Sequence, residues 1–212
     1  SPDLRPAQTQ FLILGLPRSG TTYLMTLLNS HKDILCSGEQ FNPYAVVDID
    51  TKNACETALL ERDRTPLAHF EKFFSDVRGR DVAALGFKFM IGHNTRILNM
   101  IANYPNVVLI YLYRRNKLAQ ISSLIKALDT KRWAQTQRTA HVGSKIRVGP
   151  RQIQQKWHEF ETYDVLFGPW FDALPNPKFS LEYREMFRPG FERRICDVLN
   201  VPFDANMKSP LV

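Results

Sequence analysis

A chain of 212 residues with 44% hydrophobic and 23% charged side chains can bury one large core and has the charge content of a globular protein. No stretch reaches the ~18 apolar residues of a membrane span, and the opening Ser1-Pro2-Asp3-Leu4-Arg5-Pro6 lacks the apolar centre of a signal peptide. Stable membrane insertion is therefore not expected, and a cytoplasmic location is, with an upstream anchor left open.

The net charge is +7. It suits a polyanionic partner or, equally, a solvated basic surface. Nucleic acid is not the expected partner, because the basic residues are scattered and no recognition-helix, zinc-finger or RNP pattern occurs. Cys36, Cys55 and Cys196 are widely spaced, with no CxxC and no Cys/His cluster of zinc spacing. They read as reduced thiols, a single disulfide with one spare thiol being the alternative, and no metal site is expected.

Phe11 to Leu14 is a short apolar run of the kind that forms a buried parallel strand, closed by Gly15. A turn through Gly20 leads into a helix over Thr21 to Asn29, with Leu24, Leu27 and Leu28 at helical spacing. Ile34 to Cys36 is a second strand running into Ser37-Gly38-Glu39. Residues 42 to 64 show no pattern that assigns them. Thr65-Pro66 opens a helix whose buried face is Leu67, Phe70, Phe74 and Val77, with Gly79 suited to its end.

Leu85 to Met90 is a strand, Ile97 to Ile101 a short helix, and Val107 to Tyr113 the most central-looking strand. The helix from Asn116 is expected to bury Leu118, Ile121, Ile125 and Leu128. A basic stretch from 137 to 151 carries Arg138, His141, Lys145 and Arg147. Ile153, Trp157, Phe160 and Phe167 mark a further helix, Lys178 to Tyr183 a last strand, and Phe191 to Leu199 a last helix. Strands alternating with helices predict an α/β fold in three layers, a central mostly parallel sheet flanked by helices, with residues 1–212 as one domain.

Gly15-Leu16-Pro17-Arg18-Ser19-Gly20-Thr21-Thr22 lies between a strand and a helix, where a phosphate loop belongs. The backbone N–H groups of such a loop cradle phosphate oxygens, and the helix start adds its positive dipole end. Thr21 and Thr22 bring hydroxyls, and Arg18 a cation. The segment is nearly Gly-x4-Gly-Lys-Ser/Thr, but Thr21 stands where the lysine would reach the β- and γ-phosphates of a nucleoside triphosphate. A P-loop nucleotide or sugar kinase is thus the weaker alternative, also for want of an aspartate placed to hold Mg²⁺ after a strand.

Arg115 ends the central strand, and Ser123 follows eight residues on. Asn116, Ala119, Ser123 and Ala127 would share one helix side, small enough for a phosphate to approach Arg115 and Ser123 together. From spacing alone, a surface arginine and an incidental serine explain the pair as well.

The two segments together resemble the PAPS-dependent sulfotransferase superfamily, PAPS being 3′-phosphoadenosine 5′-phosphosulfate. Pro17 to Thr22 is similar to its loop for the 5′-phosphosulfate. Arg115 and Ser123 are similar to its pair for the 3′-phosphate. Gly38-Glu39-Gln40-Phe41-Asn42-Pro43, Gly86-Phe87-Lys88-Phe89-Met90 and Arg114-Arg115-Asn116-Lys117-Leu118-Ala119-Gln120 resemble the bacterial branch that acts on carbohydrates such as trehalose, Nod factors and lipopolysaccharide. The Lys126 to Trp133 and Tyr183 segments agree more loosely.

The resemblance implies a P-loop-like fold, PAPS as cosubstrate with adenosine 3′,5′-bisphosphate as product, no metal, and a hydroxyl-bearing acceptor of carbohydrate or glycolipid type. It implies that Pro17, Arg18, Ser19, Gly20, Thr21, Thr22, Arg115, Ser123 and Tyr183 bind the nucleotide. Arg18 would stabilise the transferring group. Glu39, at the carboxyl end of the second strand, would be the general base, with His31 and His93 as lesser candidates.

Phe41, Lys88 and Trp133 are candidate acceptor contacts. Lys88 pairs with the sulfate or with Glu39, or faces solvent from a half-exposed strand. Trp157 reads better as core. The basic or Gly-rich C-terminal segment that often closes the nucleotide site in this superfamily is not evident. A module that binds the nucleotide or an anionic glycan without chemistry is a third reading.

Overall fold

The computed structural model describes residues 8–48, 51–77, 81–131, 133 and 147–211. Strand β1 (Thr9–Gly15) leads into helix α1 (Thr21–Leu28) and then β2 (Ile34–Glu39). The segment without a sequence pattern forms a small antiparallel ribbon, β3 (Val46–Val47) with β4 (Lys52–Asn53), and helix α2 (Glu56–Arg64). Next come α3 (Pro66–Val77), β5 (Ala84–Met90), α4 (Thr95–Met100), β6 (Val108–Tyr113) and α5 (Lys117–Thr130). The chain closes with α6 (Pro150–Ala173), β7 (Lys178–Glu182), a 3₁₀ turn at Tyr183–Phe187, and α7 (Phe191–Val198).

The main sheet has the order β2-β5-β1-β6-β7, and each neighbouring pair is parallel. Alternation along each strand divides the core in two. Leu12, Leu14, Leu85, Phe87, Phe89, Leu109 and Tyr111 point to one face, where Phe70, Phe73 and Phe74 of α3, Ile121 and Leu124 of α5, and Phe160 and Phe171 of α6 cover them. Phe11, Ile13, Val108, Ile110 and Leu112 point to the other, against Leu24, Leu27 and Leu28 of α1 and Phe191 and Ile195 of α7. Helices on both faces of a parallel sheet make the expected three-layer α/β fold.

β1 lies between β5 and β6, so the chain leaves the centre of the sheet in both directions. Open α/β sheets bind ligands at such a switch point, beyond the strands' carboxyl ends. Gly15, Glu39, Met90, Tyr113 and Glu182 stand at that edge.

Three expectations change. In α5, Leu118 and Leu128 are 55% and 56% exposed, while Lys117, Gln120, Ile121, Leu124 and Ala127 are buried. The helix is turned because two polar side chains are drawn inward: Lys117 pairs with Asp164 of α6, and the Gln120 amide donates to the Pro17 carbonyl at 2.8 Å. Ala127 therefore packs in the core instead of lining a phosphate site. The helix expected over 153–167 extends over Pro150–Ala173 and includes Pro169. Gly79, the Val77 side chain, and Arg138, His141 and Lys145 of the basic stretch lie outside the described residues, and Arg147 is exposed.

The three cysteines are free thiols. Among the described residues no helix is long and apolar enough to cross a membrane.

Candidate active site

The loop after β1 folds tightly. Arg18 takes a φ of 65° and Gly20 one of 103°, the left-handed region that costs a residue with a Cβ. A Cβ at Gly20 would also lie 2.7 Å from the Tyr183 ring. The Ser19 amide closes the turn onto the Leu16 carbonyl at 3.2 Å. Two outside donors set the neighbouring peptide groups: Gln120 holds the Pro17 carbonyl at 2.8 Å, and the Arg114 guanidinium reaches the Arg18 carbonyl at 3.4 Å.

Gly20 caps α1 with no side-chain hydrogen bond, so the first-turn amides keep no intrahelical acceptor. The Ser19 hydroxyl is buried without a hydrogen-bond partner. A loop with an orphaned buried hydroxyl, bare helix amides and nearby guanidinium groups fits an anion.

The loop meets Ser123 of the second motif, and among the described residues no hydrogen bond or ion pair joins the Arg115 side chain to either. Arg18 Nε donates to Ser123 Oγ at 2.8 Å, across a sequence separation of 105 residues, and its terminal nitrogen donates to the Trp133 carbonyl. Burial and then the Arg114 charge lower the proton affinity of the Arg18 guanidinium, while Tyr183 opposes them. A guanidinium still stays charged at neutral pH. Arg114 lies over the Tyr183 ring at 4.4 Å. Arg115 is exposed, and its backbone N–H donates to Glu182 at 3.3 Å. Glu182 also accepts from the Arg184 amide at 2.8 Å, which fixes the turn carrying Tyr183.

On the β2–β5 side, Lys88 is buried, not solvent-facing. Its ammonium lies 3.0 Å from Glu39 Oε1 and 3.0 Å from the Thr22 hydroxyl. Thr22 belongs to the loop, so one cation joins the loop to the carboxylate. Asn42 donates to Glu39 Oε2 at 2.6 Å. Burial pushes the Glu39 carboxyl up, but the Lys88 charge and the hydrogen bonds from Lys88 and Asn42 outweigh it and hold the group below its ordinary value. The site thus has an ionised carboxylate beside a loop that fits an anion.

The two histidines separate. His31 Nε2 faces the Pro202 carbonyl at 2.8 Å and Nδ1 accepts from the Asp33 amide at 3.0 Å; both nitrogens are taken by backbone. His93 carries a buried Nδ1 without a partner. Burial lowers its proton affinity, Glu39 pulls the other way, and Lys88 and Arg62 reinforce the lowering.

Phe41 is not at the surface as an acceptor contact would be. Its ring is 2% exposed and packs 6.0 Å from Phe87 and 5.8 Å from Phe89, because the turn after Glu39 folds it into the aromatic core. Trp133 is 52% exposed. Trp157 packs partly buried against the core. Thr21 is buried, with its hydroxyl on Met90 sulfur at 3.8 Å.

Sequence reasoning gave no role to Asn42, Arg62, Arg114 or Gln120. Asn42, Arg114 and Gln120 do stand inside the segments that carry the resemblance. Arg62 has no such signal.

A profile described as the sulfotransferase family matches residues 10–205. Nodulation protein H of Rhizobium meliloti (strain 1021) is 29% identical over 126 residues, 58% of this chain and 49% of the relative. Nodulation protein H of Rhizobium tropici is 24% identical over 184 residues, 85% of this chain and 70% of the relative. The chain spans about half the length of the Rhizobium meliloti relatives it matches.

Among solved structures, the sulfotransferase domain of the Synechococcus PCC 7002 olefin synthase superposes with a TM-score of 0.58 at 18% identity, covering 99% of this chain and 79% of that one. Mouse sulfotransferase SULT7A1 complexed with PAP superposes with a TM-score of 0.51 at 15% identity, covering 94% and 61%. Both share the P-loop-like fold.

Proposed function

The chain belongs to the sulfotransferase family, and on that premise we propose that it moves a sulfuryl group from PAPS to a hydroxyl of a carbohydrate or glycolipid. The observation that carries the reading is the Lys88 ammonium, 3.0 Å from both the Glu39 carboxylate and the Thr22 hydroxyl. It joins a carboxylate suited to act as a base to a loop suited to hold an anion. The carbohydrate acceptor is supported by the segments around Glu39, Lys88 and Arg115 that resemble the carbohydrate branch.

PAPS supplies the activated sulfur. The acceptor oxygen attacks it, the bond from sulfur to the phosphate oxygen breaks, and adenosine 3′,5′-bisphosphate leaves. Glu39 takes the acceptor's proton as the oxygen attacks. Arg18, the loop amides and the Ser19 hydroxyl offset charge on the departing phosphate and the equatorial oxygens. Arg115 and Ser123 hold the 3′-phosphate, and Tyr183 flanks the loop at Gly20. Lys88 keeps Glu39 ionised and, 3.0 Å from the Thr22 hydroxyl, stands beside the loop that takes the phosphosulfate.

Thermal shift tests the donor class. Adenosine 3′,5′-bisphosphate without Mg²⁺ stabilises the protein by about 2.7 kcal/mol at 100 times its Kd, and ATP with Mg²⁺ does not. The reverse preference would point to a kinase. A labelled-sulfate screen over trehalose, other sugars, glycolipids and small alcohols then identifies the acceptor. Glu39→Gln keeps nucleotide binding and loses transfer; a variant that transfers at the wild-type rate removes Glu39 as the base.

A further inference from the structure

Helix α2 packs in an unusual way. Its single buried residue is Arg62, 3% exposed, while Leu60 is 51% exposed. A helix is ordinarily held by an apolar stripe, and a charge is costly to bury unless it is paired and hydrogen-bonded. The partners of Arg62 show what this cation holds. One terminal nitrogen donates to the Asn42 carbonyl at 2.8 Å and to the Gln40 carbonyl at 3.2 Å. Nε pairs with Asp63 at 2.8 Å. The guanidinium carbon lies 6.0 Å from the centre of the Phe41 ring. Arg62 therefore grips residues 40–42, the turn directly after Glu39.

The next link is Asn42. Its Oδ1 accepts from the Tyr44 amide at 2.9 Å, which fixes the amide the right way round to donate through Nδ2 to Glu39 Oε2 at 2.6 Å. Glu39 Oε1 faces Lys88 at 3.0 Å. Each carboxylate oxygen thus has one protein donor and a further lone pair to accept an acceptor proton. Without Asn42, Glu39 Oε2 loses its donor and the ionised carboxylate loses a hydrogen bond that favours it.

From this geometry we infer that Arg62 and Asn42 are positioning residues for Glu39: the buried guanidinium fixes the 40–42 turn, and Asn42 fixes the carboxylate. The inference rests on Glu39 being the base. The charged and titratable groups around that carboxylate are Lys88 from β5, His93 after β5, and Arg62 from α2 behind the turn.

The test follows the Glu39 side-chain carboxyl carbon by ¹³C NMR through a pH titration, with its resonance identified by its loss in Glu39→Gln. Asn42→Ala and Arg62→Met both move the Glu39 midpoint to higher pH, and Arg62→Lys, which keeps the cation but one donor group, lies between. Adenosine 3′,5′-bisphosphate affinity stays at the wild-type value, and turnover falls by up to about 100-fold. A merely structural Arg62 would lower thermal stability and leave the midpoint in place in Arg62→Lys, which keeps the charge, and that result overturns the inference. Should Arg62→Met not fold, Arg62→Lys and Asn42→Ala decide, and an unmoved midpoint in both overturns it. Failure of the underlying reading is seen separately: Glu39→Gln that transfers labelled sulfate to the acceptor sugar at the wild-type rate removes the base, whatever the titration gives.

Discussion

Lys88 shows how one buried charge can serve two neighbours. It lies within 3.0 Å of a carboxylate and of a loop hydroxyl, and desolvation of the ammonium is offset only while Glu39 is ionised. Lys88→Met leaves Glu39 buried without its cation, so burial dominates and the carboxyl midpoint rises. The sign follows from linkage. In the wild type the depressed Glu39 value contributes stability above the ordinary carboxylate range, lost as pH falls through the folded value. In Lys88→Met the raised value reverses this. The variant should be less stable at pH 7 by about 3 kcal/mol, the low end for a broken buried pair, because the Glu39 side chain keeps 19% exposure. The gap should narrow on acidification, and urea unfolding at a series of pH values measures it. Gly20→Ala is a second residue-scale case. It places a Cβ at φ 103° and 2.7 Å from Tyr183. A loss of about 1–3 kcal/mol, with weakened adenosine 3′,5′-bisphosphate binding, is expected in the same assay and in calorimetry.

Elements were legible where one period governed them. Phe11 to Leu14 reads as a strand because its two faces are both buried under helices, and a continuous apolar run has no other place in this fold. The turn to Gly20 reads as a strand-to-helix loop because the apolar run stops at Gly15 and helical spacing begins at Thr21. The orientation of α5 was not legible. Its apolar residues favour burying Leu118 and Leu128, yet Asp164 and the Pro17 carbonyl, remote in sequence, turn Lys117 and Gln120 inward. Helix α2 hides for the same reason, since its inward residue is a cation and its leucine is exposed. Phe41 misled because an aromatic residue near a carboxylate is as compatible with core as with a sugar site. The α5–α6 contact can be tested directly. Lys117→Met and Asp164→Asn each destabilise, and the double variant loses less than their sum. A coupling energy of about 0.5–3 kcal/mol from a double-mutant cycle is expected; strict additivity would mean that the pair does not set the helix.

At the scale of the molecule, topology and charge act together. The order β2-β5-β1-β6-β7 brings the loop after β1, the carboxylate ending β2 and the arginines after β6 to one edge of the sheet. The net charge of +7 then surrounds a site with an exposed Arg115 and a half-buried Arg18. Salt screens these two differently. Exposed charges lose their reach as the Debye length falls from about 30 Å at 0.01 M to about 8 Å at 0.15 M, and buried contacts are screened much less. The Kd of adenosine 3′,5′-bisphosphate should therefore rise steadily with KCl in calorimetry. Arg115→Ala should weaken binding and flatten that slope, because it removes the solvent-facing cation. Arg18→Ala should weaken binding and leave most of the slope. Equal slopes in all three proteins would mean that Arg115 makes no contact with the ligand's charge, and the nucleotide would then have to be held by the loop, Ser123 and Tyr183 without it.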